Sequence, residues 1–117
     1  MRVLTILNDA PYGGERTYNG LRLALALQKA DPQAELTVFL MGDAVLAAKA
    51  GQKTPEGYYN LEQMLGRVIL AKGAVLLCGI CMAARGIGDT EMIAGAQHST
   101  MDALAQAAGV ADKVLVF

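Results

Sequence analysis

Cys78 and Cys81 stand three residues apart and are the only cysteines in a chain of 117 residues. A Cys-x-x-Cys pair serves dithiol exchange, metal ligation, or nucleophilic chemistry by one activated thiolate. Zinc asks for about four ligands, and with His98 the sole histidine, cysteine and histidine together supply three at most. No metal is expected unless subunits share it. A thioredoxin-like dithiol fits poorly, because the motif comes late and none of Pro11, Pro32 and Pro55 falls just before a strand that follows it. The bland alternative for either cysteine is a small buried hydrophobe. Arg85, seven residues after Cys78, has the charge to stabilise an anionic sulfur, or else forms an ordinary ion pair or points into solvent. His98, alone before a helix, reads as a surface or capping residue.

The element that must position the thiols is the apolar run at residues 74–77, short and bounded by glycine, which predicts a buried parallel strand. Cys78 then ends a strand, at the sheet edge where chemistry collects in crossover sheets. A helical turn over residues 81–85 would set Cys78 just before a helix N-terminus, which, with a nearby cation, is expected to lower its pKa. Cys78 is therefore the expected reactive thiol, ahead of Cys81.

Around that strand the chain alternates. Residues 2–7 and 35–41 read as strands, flanking a leucine-rich helix from Thr17 to about Ala30 that Asp31-Pro32 breaks. Asp43 is a plausible N-cap for a short helix over 44–50. Residues 51–59, with two glycines and a proline, form the longest loop, the kind that often binds or covers something. Asn60 with Gln63 opens a helix over 61–72. A weak strand is placed at 92–97, then a helix opened by Ser99 and Asp102 and closed by Gly109, and a final strand at 113–117. The order, βαβααβ(α)βαβ, predicts an α/β domain with a mainly parallel sheet and helices on both faces.

Composition narrows the partners. Ten basic residues against eleven acidic ones, scattered along the chain, exclude the basic footprint of a nucleic-acid binder. No Gly-x-Gly-x-x-Gly or Walker sequence occurs. The first apolar run is too short for a signal sequence or a membrane span, so a soluble cytoplasmic protein is expected. A charged fraction of 18% and an apolar fraction of 54% are greasy for a small monomer. That points to faces buried between subunits, the wide stripe from Leu21 to Leu27 among them.

Several stretches together carry a resemblance: Asn8 to Gly13, Phe39 to Val45, Gly51-Gln52-Lys53, Gly57-Tyr58, Cys78 through Ile87, and Ala111 to Leu115. Across the whole chain this set resembles the DsrE/DsrF-like family, and within it the YchN-like branch. The resemblance implies a three-layer α/β/α fold with a five-stranded, mainly parallel sheet, and assembly as trimers or hexamers. It also implies sulfur handling without a cofactor, sulfane sulfur being carried as a persulfide between donor and acceptor proteins. In the sulfur-relay branch the acceptor cysteine ends the third strand and an Arg-Gly pair follows. Cys78 and Arg85-Gly86 match that spacing, and Cys81 resembles the second cysteine of the YchN-like branch. The implied catalytic residues are Cys78, Cys81 and Arg85, with Tyr12, Gly13, Met41, Asp43, Tyr58 and Gly79 as binding positions around them. An alternative of another class is a redox-regulated interaction module that uses a Cys78/Cys81 disulfide. A third is a small-molecule binder at the Tyr12 and Tyr58 loops.

Overall fold

The structure is a computed structural model and describes residues 1–117. Five strands, β1 (Arg2–Leu7), β2 (Glu35–Leu40), β3 (Ala74–Cys78), β4 (Ala96–Ser99) and β5 (Lys113–Val116), form one sheet in the order β4-β3-β2-β1-β5. Every pairing is parallel. The helices are α1 (Arg16–Ala30), α2 (Leu61–Leu70), α3 (Gly79–Ala84) and α4 (Met101–Val110), with a 3-10 helix at Gly42–Ala48 and a shorter one at Asp89–Glu91.

Handedness explains the layers. From β1 to β4 the chain steps one way across the sheet, so right-handed crossovers keep their helices on one face, and the return from β4 to β5 must lay its helix on the other. Accordingly, α1 sets Gly20 against Leu7 and Phe117, and α1 is tied to α2 by Gln28 Nε2 donating to the Val68 carbonyl at 3.1 Å. On the opposite face, Ala107 and Val110 of α4 border one hollow with Leu4 and Thr37, which are register partners.

The core runs through the sheet centre, where Val38, Phe39 and Leu40 are fully buried. The α4 face is less well covered. Leu4 pairs with Val114 and Ile6 with Val116 across β1 and β5, yet Val114 and Val116 are 44% and 61% exposed. No helix of the chain is long and apolar enough to cross a membrane.

Three local expectations are corrected. The fourth strand is Ala96–Ser99, not 92–97, because Met92 is taken up in an antiparallel bridge with Lys49 and the Ile93 N–H donates to the Ala48 carbonyl at 2.9 Å. Ser99 is thereby the last residue of that strand, and Thr100 caps α4 instead, its Oγ1 accepting the Ala103 N–H at 3.1 Å; the helix passes through Gly109 to Val110. Asp43 lies inside the first turn of the 3-10 helix, whose N-cap is Met41. Asn60 caps α2 as expected, accepting the Gln63 N–H at 3.0 Å.

Candidate functional site

A parallel sheet puts all strand carboxyl ends on one edge, and there the segments after β1, β2 and β3 converge. Cys78 ends β3 and is the N-cap of α3, its Sγ accepting the Cys81 N–H at 3.4 Å. Cys81 lies one turn on, half-buried, and its Sγ accepts the Gly42 N–H at 3.1 Å. Gly42 can aim its amide there because it turns the chain at φ 57°, in the left-handed region, with the Asn8 carbonyl close behind. Each sulfur thus has a backbone N–H directed at it, a favourable setting for negative charge. Both thiols are free.

Burial opposes one of the expectations. Cys78 is only 7% exposed, and its pKa is raised, first by that burial and then by the Cys81 side chain beside it; backbone N–H groups pull the other way and lose. The sequence reading had Cys78 depressed. A helix N-terminus is present as foreseen, but α3 has only six residues, and desolvation outweighs it.

Nor is the expected cation free. Arg85 pairs with Asp43, Nε and Nη2 each 2.9 Å from Oδ1, and its Nη1 donates to the Cys81 carbonyl at 3.0 Å. Asp43 thus holds the guanidinium in place, and Arg85 braces the end of α3 against the 3-10 helix.

Gly79 is required by shape. A Cβ there would run into the ring of His98, which sits on β4 beside Leu77 and is held by Asp89 through Nδ1 at 2.9 Å. His98 is exposed at the surface, as expected of a lone histidine, but it also roofs the first residue of α3. The sequence reading missed this contact by ending the fourth strand at residue 97, two residues early; once the strand covers His98, parallel register sets it next to Leu77. No three His, Cys, Asp or Glu side chains converge to hold an ion.

The remaining predicted positions divide. Met41, half-buried, leads into Gly42 and so belongs to the thiol corner. Tyr12, Gly13 and Tyr58 belong to an aromatic cluster instead. Tyr12 donates its hydroxyl to Gln52 Oε1 and accepts the Leu61 N–H at 3.1 Å, pinning the 51–59 loop to the start of α2. Tyr59 stacks on Tyr18, Tyr58 and Tyr12 at centroid distances of 3.9, 4.3 and 5.8 Å. The hydroxyls of Tyr58 and Tyr59 share a hydrogen bond of 3.2 Å, and chiefly through it Tyr59 is pushed up to about 12. Gly13, exposed and at φ 97°, borders a small hollow with Tyr58 and Tyr59. No hydrogen bond joins this cluster to either cysteine.

Comparison with known proteins decides the lineage. The DsrE/DsrF-like family profile matches residues 1–117. The chain belongs to the DsrE/DsrF-like family. It is 43% identical over 116 residues to protein YchN of Escherichia coli, covering 99% of this chain and 98% of that one. An uncharacterized protein of Methanocaldococcus jannaschii is 36% identical over 118 residues, with both chains fully covered. The crystal structure of E. coli YchN superposes with a TM-score of 0.95 over 99% of this chain and 98% of that one. A protein of unknown function from Methanobacterium thermoautotrophicum shares the fold at 12% identity, with a TM-score of 0.75 over 99% and 97% of the two chains. Membership in this family points to a role in sulfur relay.

Proposed function

We propose that this DsrE/DsrF-like chain is a cytoplasmic sulfur carrier: Cys78 accepts a sulfane sulfur as a persulfide and passes it to a protein partner. The observation that carries the reading is the dithiol corner, where two free thiols one turn apart each receive a backbone N–H. The Cys78 thiolate attacks the outer sulfur of a donor persulfide. A new S–S bond forms at Cys78, the donor's S–S bond breaks, and the donor leaves as a thiol with the proton Cys78 gave up. No outside oxidant or reductant is needed. In transfer, the partner's thiolate attacks the outer sulfur and Cys78 leaves as a thiol; with no partner bound, Cys81 instead attacks the Cys78 sulfur, forming the intramolecular disulfide and expelling hydrogen sulfide, and a cellular thiol then reduces that disulfide.

Burial holds the Cys78 thiol above its ordinary pKa, so uptake is favoured by an event that opens the corner or draws off its proton. Docking of a donor protein suits that need. Ile80, between the two cysteines, is 82% exposed and offers an apolar contact beside the sulfurs. Assembly into a trimer or hexamer belongs to the same proposal. The exposed Val114 and Val116 on the thinly covered sheet face supply a surface for it, in addition to Leu23, which is 38% exposed on α1.

Intact mass after incubation with a persulfide donor tests the carrier. The wild-type chain should gain one sulfur, Cys78→Ser should gain none, and Cys81→Ser should load normally and hold its sulfur longer. Loss of two hydrogens in the wild-type chain, with no sulfur adduct on Cys81→Ser either, would favour the disulfide-switched interaction module instead. Loading of Cys78→Ser would move the acceptor to Cys81. Sedimentation velocity checks assembly: a monomer at micromolar concentration removes that part of the proposal.

A further inference from the structure

The largest cavity lies away from the thiols. It is an open groove of about 500 Å³ between α1 and α2, within the size range of small-molecule sites. Three tyrosines, Tyr18, Tyr58 and Tyr59, and three cations, Arg22, Lys29 and Arg67, line it, with no carboxylate among the lining residues. Basic residues that are scattered in sequence are here brought together by the fold.

None of these cations is held by a carboxylate. The chain's ion pairs employ Arg2, Arg16, Arg85 and His98, while Lys29 and Arg67 pair with nothing. Arg22 donates to Asn19 Oδ1 at 3.0 Å and lies over the Tyr18 ring, 5.5 Å from its centroid. Three unpaired like charges around a concavity repel one another and raise the local potential, which favours a polyanion over any neutral occupant. Guanidinium groups match phosphate oxygens in bidentate geometry.

The aromatic wall adds a second requirement. Tyr18, Tyr59 and Tyr58 form a continuous stack, and the last ring is 50% exposed, leaving a face on which a further planar group can lie. Such faces hold nucleobases. Gln63, exposed in the same groove, has a side-chain amide that makes no hydrogen bond within the chain and can meet polar ring edges.

We propose that this groove binds a nucleoside phosphate, with its phosphates on Arg22, Lys29 and Arg67 and its base stacked on the tyrosines. Side chains rather than a glycine-rich loop meet the phosphates, so the sequence carries no nucleotide fingerprint. The site stands apart from the Cys78 chemistry and does not depend on it.

Calorimetric titration of the full chain with ADP, inorganic pyrophosphate and adenosine tests this. ADP should bind saturably, with pyrophosphate at least about tenfold weaker for want of the stacked base. Lys29→Gln and Arg67→Gln should each weaken ADP by about tenfold. Tyr58→Ala should remove the advantage of ADP over pyrophosphate. Lys29 and Arg67 are exposed, so those two variants should melt like the parent, and sulfur loading at Cys78 should be unchanged in them. Absence of ADP binding at millimolar concentration overturns the proposal. So does ADP binding that survives the Lys29→Gln/Arg67→Gln double variant, or pyrophosphate binding as tightly as ADP.

Discussion

The thiol corner and the tyrosine groove treat their polar groups in opposite ways. At the corner each group with chemical potential is already engaged: Arg85 by Asp43, Cys81 by the Gly42 amide, Cys78 by burial and the Cys81 N–H. In the groove, Lys29 and Arg67 are unpaired and Tyr58 is half open to water. A satisfied, half-buried site reacts when something disturbs it, whereas an open site with unspent charge responds to whatever fits it. Under the two proposals, the corner performs gated covalent chemistry and the groove is reversibly occupied.

Changes to the shared sheet should abolish that contrast, and changes to one region should sharpen it. Phe39 is fully buried at the sheet centre, so Phe39→Ala should cost about 3–5 kcal/mol in urea unfolding and disturb both regions at once. Gly79→Ala forces a Cβ into the His98 ring. It should cost about 1–3 kcal/mol, alter thiol alkylation rates, and leave the tyrosine signals in an NMR spectrum in place.

Alkylation of Cys78 across pH reads the corner directly. Because its folded pKa is raised, the reactive thiolate should appear at a midpoint above the ordinary thiol range. By linkage, the native state holds this proton more tightly than the unfolded chain does. The resulting stabilisation is complete below the unfolded thiol pKa and is lost as pH rises through the folded one. Cys81→Ser should bring the midpoint part-way down, since the neighbouring thiol goes while burial stays. A midpoint below the ordinary range would mean that the amides outweigh burial.

Asp43→Asn frees Arg85 from a partly exposed pair, so stability should fall by about 1 kcal/mol. Cys78 should meanwhile alkylate faster at fixed pH, because a carboxylate has left and a cation has been released. The smallest effect is confined to the groove. Tyr58→Phe removes the hydroxyl that pushes Tyr59 up to about 12, so ultraviolet titration should show Tyr59 ionising earlier while the thiols titrate as before.

Much of this was legible in the residues themselves, where the determining interactions are local. Apolar runs bounded by turn residues mark four of the five strands, all but β4, Asn60 with Gln63 marks the start of α2, and the step from β3 into α3 places Cys78 at a strand end, because hydrophobic period and capping act over a few residues. The family's motifs were likewise readable along the chain. What the tertiary structure decided is everything that depends on neighbours distant in sequence. Cys78 and Asn8 are remote along the chain, yet the left-handed turn at Gly42, backed by the Asn8 carbonyl, supplies the amide at Cys81. Whether Arg85 serves a sulfur or an ion pair is settled only by the arrival of Asp43, and His98, a surface residue as expected, gains its contact with Gly79 only through strand register. The direction of the Cys78 shift turned on burial, which arises only when the sheet and helices close around a side chain. Lys29 and Arg67 likewise become one site only because α1 and α2 pack side by side.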